Sequence, residues 1–208
     1  MTFEQLNQSL GGDQKQCDWR QTSGRGWIQK SARVECEENI RDDAQVFGTA
    51  QVSGNARVFG NARVFGNAQV SDDARMSGGA WVSGDARVFG NARMSGGTWA
   101  FGNARMFGNA RMSGGAWVSG DAQVFGNARV FGNARVFGGA WETSPLFIQG
   151  TRFSLTNCKP GFIQIGCECH SFSEWTRVGL AIARQNDFSQ AQIKEYRAYI
   201  RLFKQTGK

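Results

Sequence analysis

Proline and histidine are nearly missing from this sequence, with two prolines and a single histidine in 208 residues. So little proline beside 28 glycines excludes a Pro-rich disordered linker and leaves a folded chain that turns often. No run is long and apolar enough to cross a bilayer, and the opening MTFEQLNQSLGGDQ lacks the apolar core of a signal peptide. A cytoplasmic protein with no membrane partner is therefore expected. The five cysteines, Cys17, Cys36, Cys158, Cys167 and Cys169, are odd in number and irregularly spaced, which argues for reduced thiols and against a disulfide framework. No Gly-Lys-Ser or Gly-Lys-Thr follows a strand, so there is no P-loop. Acidic residues are outnumbered, 17 against 24 Lys and Arg, and the net charge of +7 favours anionic partners.

What is present is repetition. From Ala74 to Asn127 the chain reads ARMSGGAWVSGDARVFGN, ARMSGGTWAFGNARMFGN and ARMSGGAWVSGDAQVFGN, each block dividing into three hexads of the type Ala-Arg-Val-Phe-Gly-Asn. A six-residue repeat nested in an eighteen-residue one predicts a β-helix with three short sides per coil. The phase runs unbroken from Ile28 to Val136 and ends near Trp141, giving roughly six coils and a prism about 30 Å tall at about 4.8 Å per stacked strand. Within a hexad, the Val and the Ala two residues before it, as in Ala56 and Val58, point inward because side chains alternate along an extended segment. Gly-Asn and Gly-Asp supply the corners, since they tolerate positive φ.

Either side of the repeats the pattern changes. Residues Thr2 to Leu10 predict a short amphipathic helix, capped by Thr2, that covers the open end of the stack. Gly11 to Trp27 read as an irregular approach in which Trp19 and Trp27 bury the most area and Gly24-Arg25-Gly26 turns. Glu35, Glu37 and Glu38 make the first coil acidic, as an atypical capping coil of a solenoid is. After Trp141, Leu146–Ile148 and Phe162–Ile165 read as strands joined through the turn Asn157-Cys158-Lys159-Pro160-Gly161. Ser171 with Glu174 predicts a capped helix over Phe172–Arg184, and Ser189 a second over Gln190–Lys204 with Ile193, Tyr196, Ile200 and Phe203 on one face. The expected organisation is an N-terminal cap (1–27), a β-helix (28–141) and a small α+β unit (142–208) docked on the last coil.

Positions eighteen apart stack, so the outward residues form vertical columns. One carries Arg57, Arg75, Arg93, Arg111 and Arg129, flanked by Ser77, Ser95 and Ser113. The next carries Arg63, Trp81, Trp99, Trp117 and Arg135. The third carries Gln51, Gln69, Arg87, Arg105, Gln123 and Trp141, with Phe89, Phe107 and Phe125 beside it. Two readings of the Arg column stand side by side. Either the stems pack over neighbouring Phe rings with cation–π contacts, or the guanidinium forks meet phosphates of an anionic small molecule. The Trp column makes an apolar patch that calls for a cover, and Trp81, Trp99 and Trp117 are expected at a homo-oligomer interface, a trimer being favoured.

Catalytic groups are sparse. His170 lies outside the repeats, and Asp85 and Asp121 read as corner residues. Cys158, Cys167, Cys169 and His170 carry the donor types of a zinc site. Cys-x-Cys-His nevertheless lacks the usual spacing, and on a strand it sends the two thiols one way and the imidazole the other, so neither a metal nor another cofactor is expected.

The VFGNA and VSGNA wording resembles the left-handed hexapeptide β-helix, in particular a group of phage- and prophage-borne hexapeptide-repeat proteins. The resemblance covers about Gly26 to Trp141, and FIQIGCECHSFSEW is similar to the tail that follows such repeats. It implies a left-handed, trimeric, mainly β fold in a bacterial host cell. Hexapeptide acyltransferases share that fold but use a His general base and a loop protruding between coils, and both are missing from these repeats. The function expected is a non-catalytic binding or scaffold protein, counter-defence in role, that presents Arg and Trp columns to a nucleotide signal or a host protein. Nucleic-acid binding along the Arg column and a structural role in the virion are the alternatives.

Overall fold

A computed structural model describes residues 1–207. It is mainly β: a parallel β-solenoid of about six turns, preceded by one helix and followed by a four-stranded antiparallel sheet and two helices. The repeating solenoid strand is a pair of residues, such as Arg93–Met94, which bonds to the pairs eighteen residues before and after it. Three parallel sheets result, with eight, seven and five strands, the first including one antiparallel strand at its edge. Arg93 stacks on Arg75 and Arg111, Trp99 on Trp81 and Trp117, and Arg87 on Gln69 and Arg105, as the eighteen-residue register predicts.

The interior is the Ala and Val or Met columns. Ala56 to Ala134 and Val58 to Val136 form one continuous buried cluster, in which Met76, Met94 and Met112 fill the width behind the Arg column. Thr98 replaces an inward Ala; it is fully buried and its hydroxyl has no hydrogen-bond partner. A buried unsatisfied hydroxyl costs about 1–3 kcal/mol. Thr98→Val, which keeps the shape and removes that group, is expected to raise stability by about 1 kcal/mol in urea unfolding.

Helix α1 (Phe3–Ser9) forms with the predicted cap: Thr2 Oγ1 accepts from Gln5 N–H, and the Gln5 side chain accepts from Thr2 N–H. Its position corrects the expectation. Leu6 is buried against Trp19 and Trp27, with Phe47 alongside, so α1 covers the outer face of the first sheet and not the open end. The reason lies in the outward positions beneath it. Trp27 and Gln45, which pair across neighbouring strands, offer a wide buried platform, and the N-terminal ammonium is anchored 2.6 Å from Asp43. The open end is closed instead by the hairpin of Trp19–Gln21 with Trp27–Gln29, whose Thr22 hydroxyl donates to Ile40 C=O and whose turn contains Arg25. The acidic first coil is partly neutralised, since Glu37 pairs with Arg20 at 2.7 Å.

A second correction concerns the last hexad. Trp141 was expected on the outward Gln123 column, but Gln123 pairs with Ala140, and Val124 with Trp141. The corner Phe137-Gly138-Gly139 is one residue shorter than the others, and a shift of one residue exchanges inside and outside on a strand. Trp141 therefore turns inward, is 1% exposed and closes the C-terminal end of the core.

Beyond it, the antiparallel sheet runs Phe147–Gln149, Ser154–Lys159, Phe162–Ile165 and Glu168–Ser171 in order. The expected turn Asn157–Gly161 is thus mostly strand, and only Pro160-Gly161 turns. Thr156, Asn157 and Cys158 are buried where this sheet meets the last coil, and Phe137 N–H donates to Cys158 C=O, which is what draws those turn-prone residues into a strand. Helices α2 (Phe172–Gln185) and α3 (Gln190–Thr206) both start in capping boxes, at Ser171 and Ser189. They pack Trp175, Tyr196 and Phe203 onto Leu155, Ile163 and Ile165 of the sheet.

Candidate functional site

The solenoid register lines up Arg57, Arg75, Arg93, Arg111 and Arg129 on adjacent strands of the five-stranded sheet. All five are exposed. Among the described residues none of them forms an ion pair or a cation–π contact, so the packing of their guanidinium groups over aromatic rings is not what the structure contains. Between adjacent strands about 4.8 Å apart, the mutual repulsion in water is about a kcal/mol or less per pair. An anion beside the column would relieve that repulsion. A shallow groove of about 450 Å³ runs over Arg93, Arg111 and Arg129, with Ser95 and Ser113 along it and Phe131 in its wall. No carboxylate lines it. Phe131 is 46% exposed, the most exposed large apolar side chain among the described residues. Planar guanidinium forks, hydroxyls and one aromatic ring can together hold a phosphate or carboxylate that carries a ring. The eighteen-residue period lines up the arginines but does not single out Phe131, which stands one coil above Ser77, Ser95 and Ser113 in a column that begins with Phe59.

The Trp column stands on the eight-stranded sheet. The rings of Trp81 and Trp99 stack at 4.7 Å and 13°, those of Trp99 and Trp117 at 5.0 Å and 7°. Arg63 lies 5.0 Å over Trp81 and Arg135 4.9 Å over Trp117, so a cation closes each end of the stack. Partial burial pulls the Arg63 guanidinium below its ordinary pKa. All three Trp are half-buried, not exposed as read from the sequence, because each ring face is covered by its neighbour and only the edges remain open. Phe89, Phe107 and Phe125 stack in the same way on the third face, at 5.0 Å per step. A further pair, Phe47 on Phe65 at 4.9 Å, extends the aromatic surface toward α1 and was not anticipated.

The remaining chemistry-bearing residues are dispersed. Asp85 and Asp121 accept hydrogen bonds from Asn67 and Asn103 one coil below, at 3.0 and 2.9 Å, as corner residues. Cys158 and Cys169 are free thiols with sulfurs 3.1 Å apart, and burial, helped by the neighbouring Cys169 sulfur, pushes the Cys158 thiol up. Cys167 is exposed, while His170 meets Glu168 at 3.1 Å and the Trp175 ring edge-on at 4.9 Å. Among the described residues no three His, Cys, Asp or Glu side chains are grouped to hold a metal ion. No helix among the described residues is long and apolar enough to cross a membrane.

Comparison with known proteins bears on the repeats. A family model described as "YdcK Beta solenoid repeat" matches residues 50–66, 68–84, 80–96, 122–138 and 128–143. Among solved structures, the acetyltransferase domain of PglB from Neisseria gonorrhoeae FA1090, in complex with acetyl coenzyme A, is similar at 18% identity and a TM-score of 0.40. That alignment covers 58% of this chain and 53% of the PglB domain, so it spans about half of the domain's length and carries no argument about activity. The curated proteins contain no match. With the repeat match falling on the stacked strands themselves, the chain is a β-solenoid repeat protein.

Proposed function

We propose that the protein is a non-catalytic binding scaffold whose arginine column receives an anionic ligand. The observation that carries this reading is the groove over Arg93, Arg111 and Arg129, where exposed guanidinium groups have neither an acidic nor an aromatic partner of their own. A compact ligand is favoured over a long duplex. Strands about 4.8 Å apart fall out of step with base pairs about 3.4 Å apart, so an extended column loses its match to a duplex within a few phosphates. A cyclic oligonucleotide, with phosphates and bases in one small body, suits both the guanidinium forks and Phe131.

The same reading takes the winding to be left-handed and three-sided, as the hexapeptide resemblance implies, and the protein to act in the cytoplasm of a bacterial host as a phage-derived counter-defence factor. It places Trp81, Trp99 and Trp117 at the interface of a trimer, where their exposed ring edges would be covered. An acyltransferase reading is disfavoured by coils that run without a protruding loop and without histidine.

Calorimetry with cyclic dinucleotides and trinucleotides, and duplex DNA as control, tests the ligand. Saturable binding of a cyclic oligonucleotide is expected, weakened about tenfold or more in Arg93→Gln and in Arg111→Gln. Binding of duplex alone, or of nothing, overturns it. Light scattering on the same sample reads the assembly, and a stable monomer removes the Trp interface.

A further inference from the structure

The packing of α2 on α3 is open along its length. The stretch Val178-Gly179-Leu180-Ala181-Ile182-Ala183 is apolar throughout, yet Trp175 is the only buried side chain of α2. Between the two helices lies a slot of about 290 Å³, floored by Trp175, Leu180, Ile193 and Ile200. Trp175 is tied to the sheet there, its Nε1 donating to Ile163 C=O at 2.8 Å. A smaller cavity of about 80 Å³ shares Trp175, Gly179 and Ile200 with the slot and continues toward Phe153, Ile165 and Phe188.

Gly179 is what leaves the slot open. Glycine in a helix interior is unfavourable relative to alanine. A Cβ at this position would meet only the Trp175 ring at 3.4 Å and Ile200 Cδ1 at 3.9 Å, which are ordinary contacts. Packing between the helices therefore does not require a glycine here. Along the rim stand Arg197, Arg201 and Lys204, spaced to share one face of α3. All three are exposed and, among the described residues, none forms an ion pair. No carboxylate lines the slot.

We propose that the slot between α2 and α3 binds a single-chain anionic amphiphile, with its acyl chain along Trp175, Leu180 and Ile200 and its head group at Arg197, Arg201 and Lys204. The volume selects this occupant over a peptide helix. It lies at the small end of ligand pockets, whereas a helix about 10 Å across needs a far wider groove. The apolar floor excludes a small hydrophilic anion, and the three cations exclude a neutral hydrocarbon as the preferred ligand. This site is independent of the arginine column.

Calorimetry on the full chain with straight-chain carboxylates from hexanoate to decanoate, below micelle-forming concentrations, is the test. One saturable site is expected, with affinity rising about fourfold per methylene until the slot is full. Decanol should bind about tenfold more weakly than decanoate, and the pair Arg197→Gln with Arg201→Gln should cost a similar factor. Gly179→Leu should abolish binding while circular dichroism stays unchanged, and Arg111→Gln should leave it intact, which separates this site from the arginine groove. No saturable heat with any carboxylate, equal affinity for decanol, or an unaltered decanoate affinity in folded Gly179→Leu overturns the proposal. Should Gly179→Leu fail to fold, the rim pair decides, since its side chains are exposed and full affinity in that variant is equally fatal.

Discussion

Trp141→Ala is expected to destabilise the protein by about 3–5 kcal/mol in urea unfolding. The side chain is 1% exposed and is the largest fully buried one among the described residues. It closes the end of the Ala and Val columns, with Phe147 packed against the same cluster, and its Nε1 donates to Gly138 C=O at 2.8 Å. Removing the ring exposes the top of the core and frees the corner on which the antiparallel sheet sits. Trp141→Phe should recover most of the loss, because it restores the apolar plug and forgoes only one hydrogen bond worth about 1 kcal/mol. A loss below about 0.5 kcal/mol for Trp141→Ala would be the behaviour of an outward surface residue and would contradict the inward position.

The second large effect is expected at a corner. Gly96 has φ +72, and a Cβ there would lie 2.9 Å from Gly114 O and 3.2 Å from Gly114 N, both backbone atoms of the coil above. Neither can move without shifting a whole coil. The left-handed conformation alone costs a non-glycine residue about 1–2 kcal/mol, and the contact adds to it, so Gly96→Ala should lose about 3 kcal/mol. The adjacent Gly97 has no positive φ, and its Cβ would come no nearer than 3.8 Å to Gly114 O. Gly97→Ala should therefore be neutral or stabilising by about 0.4–1 kcal/mol through the unfolded chain. Thermal unfolding of the two variants side by side reads the difference, and equal effects would refute the account of the corner. Asp72 shows the alternative solution: it takes φ 60 itself and its carboxylate accepts from Gly90 N–H at 2.9 Å.

Much of this molecule was legible in the order of its residues. The eighteen-residue period places Arg75 under Arg93 and Trp81 under Trp99, because in a coil without insertions the backbone returns to the same place after a fixed number of residues. Alternation along a strand then decides which of two neighbours faces in, as with Arg93 and the buried Met94. Helix starts were readable for the same local reason, since Ser171 and Ser189 satisfy backbone donors only three residues away. For the candidate site, the sequence identified the arginine column but not the groove, whose wall includes Phe131 from the coil above.

Tertiary structure decided what depends on long-range packing. One missing residue before Trp141 reverses its facing, and the consequence shows only when Val124 is seen as its partner. Helix α1 lies on a face because Trp27 and Gln45 make a platform there, two residues whose adjacency arises from the winding. Whether an arginine has a partner, whether a tryptophan hides its neighbour's ring, and whether Gly179 leaves a slot open depend on what stands across space. Local spacing determined the period, the inward columns and the caps of this protein. The winding of the coils and the packing of distant segments against them determined its ends, its grooves and its unpaired charges.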